Sequence, residues 1–206
     1  MDKTVTVVIS SYRYGHLAAH CIESVLCQTV KPNRILFVDD GVGDCNHLID
    51  LYPDVEFVIR ENNMGTVDNF QDMLMRVDTE YTMFLGADNW LRDDTLELLL
   101  KEDADIVTYD IFVTGELKDK FYESGLNRGF IKYEGGYYWS RKGGHHGSML
   151  YRTSIGQQAG YAASGGKNSE EDLVMWNRML KLGATVSHVE QSLLYYRRHK
   201  ENFIKF

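Results

Sequence analysis

Asp39, Asp40, Asp88, Glu171, Asp172 and His199 stand where a side chain could do chemistry. Asp88 follows the apolar run Tyr81 to Leu85 and the small pair Gly86-Ala87. A carboxylate just past the carboxyl end of a buried strand sits where open α/β sheets bind ligands. It is a candidate ligand for Mg²⁺ or Mn²⁺, ions that hold diphosphates through one or two carboxylates plus phosphate oxygens. Asp88-Asn89 also fits a plain turn. Ser10-Ser11-Tyr12 and Asp39-Asp40-Gly41 close two further apolar runs, so they point to the same sheet edge. A Ser or Tyr there can hydrogen-bond or stack on a base and ribose, and a carboxylate can accept from a base N–H or a ribose hydroxyl. Asp-Asp-Gly is equally a common loop opener.

Glu171-Asp172 follows a Gly-rich stretch and opens a helical pattern, a position suited to a general base. Ser169-Glu170-Glu171-Asp172 also reads as a capping box with Ser169 as N-cap, and acids suit the positive end of a helix dipole. The two readings are compatible, since one carboxylate oxygen can face the backbone and the other a substrate. His199, in Tyr196-Arg197-Arg198-His199, is either a nitrogen ligand or diphosphate contact, or part of a solvated basic tail. His145-His146 has no partner at zinc-ligand spacing.

The elements that must position these groups follow from periodicity. Val5 to Ile9, Ile35 to Val38, Val55 to Ile59 and Tyr81 to Leu85 are short apolar runs without helical period, and read as buried strands. Between them, residues 16–29 carry a helical stripe at Leu17, Cys21, Ile22, Val25 and Leu26. A short helix is expected around 44–51, and another with Val67, Phe70, Leu74 and Val77 on one face. This alternation predicts a mostly parallel α/β sheet with helices on both faces and right-handed crossovers. Beyond residue 90, Asp93 or Asp94 caps a helix reaching Lys101, and Asp105 to Val113 is a strand. Residues 114–147 lose periodicity but hold many aromatics, Tyr138 and Trp139 among them, either an acceptor platform for sugar faces or a satellite apolar cluster. Met149 to Tyr151 is a short strand and Gly156 to Asn168 a loop. A helix from Ser169 carries Leu173, Trp176 and Leu180 and ends at Gly183, and strands cover Thr185 to Val189 and Leu193 to Tyr196. The 206 residues fit one domain, with a nucleotide-binding lobe over 1–90 and an acceptor-binding lobe over 91–206.

Composition narrows the function classes. A net charge of −8 argues against a nucleic-acid partner. No apolar run approaches a membrane span, and Met1-Asp2-Lys3 leads into a strand without a signal-peptide layout. Cys21, Cys27 and Cys45 cannot all pair and show no C-x-x-C spacing, so reduced thiols in an intracellular, cytoplasmic setting are expected.

Taken in order, these stretches resemble the GT-A-fold inverting glycosyltransferases of family 2. Val5 to Tyr12 is similar to the family's first strand. Ser24-Val25-Leu26-Cys27-Gln28-Thr29 resembles its S-x-L-x-Q-T helix end, Val38-Asp39-Asp40-Gly41 its V-D-D-G-S motif, and Asn63-Met64-Gly65 its N-x-G loop. Leu85 to Asn89 resembles the L-D-x-D-D metal motif, with Gly86 and Asn89 replacing its first and last Asp. Asp68 replaces an Arg that usually follows N-x-G. Gly147 to Arg152 resembles the strand before the acceptor loop, Glu171-Asp172 with Trp176 the E-D-x-x-x-W helix, and Tyr196 to His199 the terminal Y-R-x-H.

The resemblance implies a GT-A fold and transfer of a sugar from a nucleoside-diphosphate sugar, UDP first, with dTDP or GDP as alternatives, to a glycan or other hydroxyl acceptor. It implies nucleotide contacts from Ser10, Tyr12, Asp39 and Asp40, a Mn²⁺ or Mg²⁺ ion on Asp88 and His199, Asp172 as base, and acceptor contacts from Glu171, Trp176, Tyr138 and Trp139. The degraded metal motif keeps a second reading open, a non-catalytic nucleotide-sugar-binding module of a larger protein. A nucleotidyltransferase would need a Gly-rich basic loop after the first strand, which Ser10 to His16 does not supply.

Overall fold

A computed structural model describes residues 3–115, 126–127, 149–162 and 171–202. The amino-terminal half alternates as the periodicity predicts: β1 (Val5–Ser11), α1 (Gly15–Leu26), β2 (Arg34–Asp39), β3 (Glu56–Ile59), α2 (Thr66–Met75) and β4 (Tyr81–Gly86). β-Branched residues fill β1, and its side chains are buried except that of Ser10, as befits a central strand covered on both faces. The expected helix around 44–51 is only a 3₁₀ turn, Asn46–Leu48.

The second half supplies β5 (Trp90–Leu91), α3 (Thr95–Lys101), β6 (Ile106–Gly115), β7 (Leu126–Asn127), β8 (Met149–Arg152), α4 (Thr153–Ala159), α5 (Glu171–Lys181) and β9 (Val186–Arg198). Three expectations change here. The presumed loop from Gly156 begins inside α4. The two strands expected over 185–196 are a single strand, β9, whose pairing with β6 shifts register around Tyr109 and Asp110. In α5 the buried face is Met175, Trp176 and Met179, and Leu180 is exposed.

The described strands form one sheet in the order β3-β2-β1-β4-β8-β6-β9-β5, with β7 beside β6. β1 to β4 run parallel, β8 runs antiparallel to both β4 and β6, and β9 is parallel to β6. One face packs Ala18, Cys21, Ile22 and Val25 of α1 and Leu96 and Leu99 of α3 against the sheet. The other packs Phe70, Met73 and Leu74 of α2 and Met175, Trp176 and Met179 of α5. The carboxyl ends of β1, β2 and β4 therefore share one edge, where the strand order leaves a crevice. Among the described residues, no helix is long and apolar enough to cross a membrane.

Candidate active site

At that edge lies a cleft of about 630 Å³. Ser10, Tyr12, Asp40, Asp88, Glu171 and Asp172 all line it, so the strand ends of the first half and the first turn of α5 meet in one place. Asp39, His199 and Trp176 are not in its wall.

Asp40 is buried beneath the Asn63-Met64-Gly65 loop. Its carboxylate accepts from Asn63 Nδ2 at 2.8 Å, the Met64 N–H at 2.9 Å and the Gly65 N–H at 3.1 Å. Arg60 Nε stands 3.7 Å away and balances the charge. Asp39 shapes the turn behind: its oxygens accept the N–H groups of Val42 at 3.0 Å and Cys45 at 3.2 Å. Tyr12 stands on the rim, 42% exposed, with the Arg13 guanidinium 5.0 Å from its ring centre. Arg13 has a φ of 69°, left-handed backbone that is costly for a residue with a long side chain.

Asp88 is held differently. Oδ1 accepts from Asn89 Nδ2 at 2.9 Å. Oδ2 faces His199 Nε2 at 3.1 Å and accepts from Asn202 Nδ2 at 3.0 Å. Asn202 Oδ1 in turn accepts the His199 N–H at 2.6 Å, and Asn89 Oδ1 accepts the Arg197 N–H at 2.9 Å. This seam ties the end of β4 to the end of β9. Gly86 makes it fit, because a Cβ there would lie 2.8 Å from Asp88 Oδ1 and 3.0 Å from Asn89 Nδ2.

The spacing of the pair is that of a hydrogen bond and is also compatible with a shared divalent ion. Ligands at adjacent corners of an octahedron, each about 2.1 Å from the ion, are roughly 3 Å apart, and Asp88 Oδ2 and His199 Nε2 are 3.1 Å apart. A different trio, Asp39, Asp44 and Cys45, has donor atoms within 4.8 Å of one another. Those donors already serve the fold. Asp44 Oδ2 accepts the Gly15 N–H that opens α1, and Asp44 Oδ1 and Ser11 Oγ both lie within hydrogen-bond reach of the Cys45 thiol. Burial pushes that thiol's pKa up, away from the thiolate a metal requires.

On the opposite wall, Glu171 and Asp172 open α5. Asp172 Oδ1 accepts the Leu173 N–H at 2.8 Å, while burial raises the pKa of Glu171. The capping expected from Ser169, and the acceptor contacts expected from Tyr138 and Trp139, lie outside the described residues. Trp176, also expected at the acceptor, is fully buried between α5 and the sheet. Tyr196 lines the cleft; burial, with Asp88 and then Asp172 adding to it, raises its phenol pKa. Both carboxylates thus bear on one ring. Sequence reasoning missed Asn69, Tyr196 and Asn202 as cleft residues.

The glycosyl transferase family 2 model matches residues 6–160. The chain belongs to this family. Its curated relatives include "Glycosyltransferase GlyA" of Streptococcus pneumoniae serotype 4, 25% identical over 131 residues that cover 59% of this chain and 19% of that protein. "Putative glycosyltransferase EpsH" of Bacillus subtilis is 23% identical, covering 98% of this chain and 62% of that protein. The chain thus spans about a fifth of one curated relative and less than two thirds of the other. Among solved structures, S. aureus TarS 1-349 superposes with a TM-score of 0.73 at 15% identity, over 94% of this chain and 60% of that one. The same TarS fragment in complex with UDP-GlcNAc gives 0.71 at 12% identity, over 97% and 60%. The fold is GT-A, a mostly parallel curled sheet flanked by helices.

Proposed function

We propose that this chain transfers a sugar from a nucleoside-diphosphate sugar, a UDP-sugar in the first instance, to a hydroxyl of a glycan or other acceptor, with inversion at the anomeric carbon. The observation that carries this reading is the convergence of Ser10, Tyr12, Asp40, Asp88, Glu171 and Asp172 on one cleft. UDP is favoured because the related TarS fold has been captured with UDP and with UDP-GlcNAc.

In this reading residues 1–90 grip the nucleotide. Tyr12 stacks on the base, Ser10 and Asp40 bond the nucleoside, and Asp39 holds the turn that presents Asp40. Asp88 and His199 hold Mn²⁺ or Mg²⁺ at the diphosphate. When bound, the ion offsets charge on the departing diphosphate. Residues 91–206 take the acceptor, with Glu171 beside it, Tyr138 and Trp139 as platform residues, and Trp176 fixing α5 from the core. Asp172 removes the proton of the acceptor hydroxyl as its oxygen bonds the anomeric carbon and the carbon–oxygen bond to the diphosphate breaks. Oxygen attack from the side opposite the leaving group inverts the centre. We place the reaction in the cytoplasm, where unpaired thiols such as those of Cys21, Cys27 and Cys45 persist.

The test is Asp172→Asn. Transfer from a UDP-sugar is expected to fall by about 10²–10⁴-fold, with UDP binding by calorimetry unchanged. Unchanged turnover would remove Asp172 as base and leave it a helix cap. The alternative, a nucleotide-sugar-binding module without catalysis, draws on the full set of hydrogen bonds already closing over Asp88. It predicts donor binding by the unaltered chain with no turnover on any hydroxyl acceptor.

A further inference from the structure

β9 meets β6 in two halves that are out of step. Tyr109 pairs with Val189, and Ile111 pairs with Leu194. Between those pairs β6 has one residue, Asp110, and β9 has four, residues 190–193, so β9 carries three extra residues. The odd number matters. Side chains alternate between faces along a strand, and an odd insertion exchanges them. Val189 packs on the α1 and α3 side of the sheet, so an even strand would turn Leu194 and Tyr196 to the α5 side. Both instead pack on the same side as Val189, and Tyr196 reaches the cleft wall. The insertion also sets reach. Three residues of strand span about 10 Å, the distance by which an unbroken ladder would carry His199 past Asp88.

A buried polar cluster stands at this irregularity. His188 Nε2 lies 3.2 Å from Asp110 Oδ1, and His188 Nδ1 lies 2.8 Å from Thr108 Oγ1. The His188 and Asp110 side chains are 7% and 1% exposed, and Thr108 is fully buried. These three are not in the cleft wall. Apolar side chains of similar size would avoid the desolvation cost, and the best-attested use of a buried polar pair is to specify register. The position fits that use. Asp110 is the single β6 residue that faces the inserted stretch, with Ser192 as its ladder partner, and His188 stands just before that stretch. A slip of β9 by one residue would turn His188 to the other face and take its imidazole away from Asp110. The pair is made in one register only.

We propose that the His188–Asp110 pair is a register key for β9, and that both are positioning residues for the Asp88–His199 seam. The key fixes where the extra residues are taken up. The strand then leaves it on exchanged faces, with Tyr196 in the cleft wall, the Arg197 N–H on Asn89 Oδ1 and His199 Nε2 at Asp88 Oδ2. β5 holds the same register from the other edge, with Trp90 opposite Tyr195 and Leu91 opposite Leu194. Arg92 Nη2 fastens the inserted stretch by donating to Gln191 Oε1 at 2.7 Å. Bulges next to active sites re-aim side chains in this way. The register follows from the fold alone; its consequence for an ion rests on the proposed transferase reading.

The test compares His188→Asn with His188→Gln in the full chain. The two amides are alike in chemistry and differ in reach. The Asn amide falls near the place of Nδ1 and can keep Thr108, whereas the Gln amide falls near that of Nε2 and can keep Asp110. Amide hydrogen exchange reads the register, and calorimetry with UDP, with and without Mn²⁺, reads the seam. His188→Asn is expected to lose protection over residues 192–198 while β1 and β2 keep theirs. It should lower Mn²⁺-dependent UDP affinity by about tenfold or more, the scale of losing a group that orients a metal ligand, and leave metal-free UDP affinity within about twofold. His188→Gln should restore both readings. If His188→Asn keeps the protection and the Mn²⁺ effect, or His188→Gln loses them as fully, the key is overturned and the transferase reading stands. Loss of protection throughout the sheet in His188→Asn also overturns the key, since the pair is then general support. No UDP binding by the unaltered chain, with or without Mn²⁺, overturns the transferase reading, and the exchange pattern alone then decides the key.

Discussion

Asp40 and Asp88 lie just past the ends of β2 and β4, the two strands that flank β1, and both carboxylates are buried. Their surroundings differ in kind. Asp40 is wrapped by a loop 23 to 25 residues away, two of its three donors being backbone N–H groups. Among the described residues Asp88 is met by side chains only, and the two on Oδ2 come from 111 and 114 residues away. Backbone donors cannot leave without the loop unfolding. Side chains can turn, and an imidazole can exchange a hydrogen bond for a metal bond. The first carboxylate therefore behaves as scaffold that also lines a cleft. The second sits in a rearrangeable seam, which is what a site that binds an ion with its diphosphate and then releases both requires.

The widest separation between the two should appear with alanine at each. Asp88→Ala is expected to cut transfer from a UDP-sugar by at least about 10²-fold, the scale of losing several kcal/mol of charge stabilisation. It should also abolish the Mn²⁺ dependence of UDP binding in calorimetry. UDP affinity indifferent to Mn²⁺ in the unaltered chain would remove the metal role from this seam.

Asp40→Ala should act on stability first. It strands the Met64 and Gly65 N–H groups, while Asn63 Nδ2 keeps its bond to the Asp40 carbonyl, at about 1–3 kcal/mol for each buried donor that water does not reach. A loss of about 2–4 kcal/mol in urea unfolding is expected, against about 1 kcal/mol for Asp88→Ala, where Asn202 Nδ2 keeps its bond to the Arg197 carbonyl. Equal losses for the two variants would erase the distinction between scaffold and seam.

Legibility in the sequence follows the same division. The strands β1 to β4 are legible because apolar runs end at turn residues, and so are the D-D-G and N-x-G turns, but that the second turn closes over Asp40 is visible only in the fold. Helix α4 is masked in the sequence because Gly156 resembles punctuation. In the fold that glycine is a packing device, since a Cβ there would come within 2.4 Å of the Tyr151 ring. The single strand β9 looked like two because Glu190 and Gln191 face solvent at its irregularity and interrupt the apolar pattern. The α5 stripe differs from the expected one because methionines beside Trp176, not leucines, fill its core face. Asn69 and Asn202 carry no local signal. An asparagine inside a helix or after a strand acquires meaning only from partners such as Ser10 and Asp88, which the fold brings from 59 and 114 residues away.

Gly86→Ala gives the smallest effect and the finest resolution of the contrast. The added methyl group meets Asp88 Oδ1 at 2.8 Å and Asn89 Nδ2 at 3.0 Å. Both are side-chain atoms, so the clash can be relieved by rotating Asp88 rather than by moving the backbone. Overpacking of this kind costs about 1 kcal/mol or a little more, and a melting-temperature drop of about 2–4 °C is expected for a chain of this size. The informative quantity is Mn²⁺-dependent UDP affinity. If Asp88 must fold back over Gly86 to meet His199, turning it away should weaken that affinity by about three- to tenfold while leaving metal-free UDP binding untouched. Should metal-free and metal-dependent binding fall together, the methyl group is disturbing the whole edge of the sheet, and Asp88 belongs with Asp40 as scaffold.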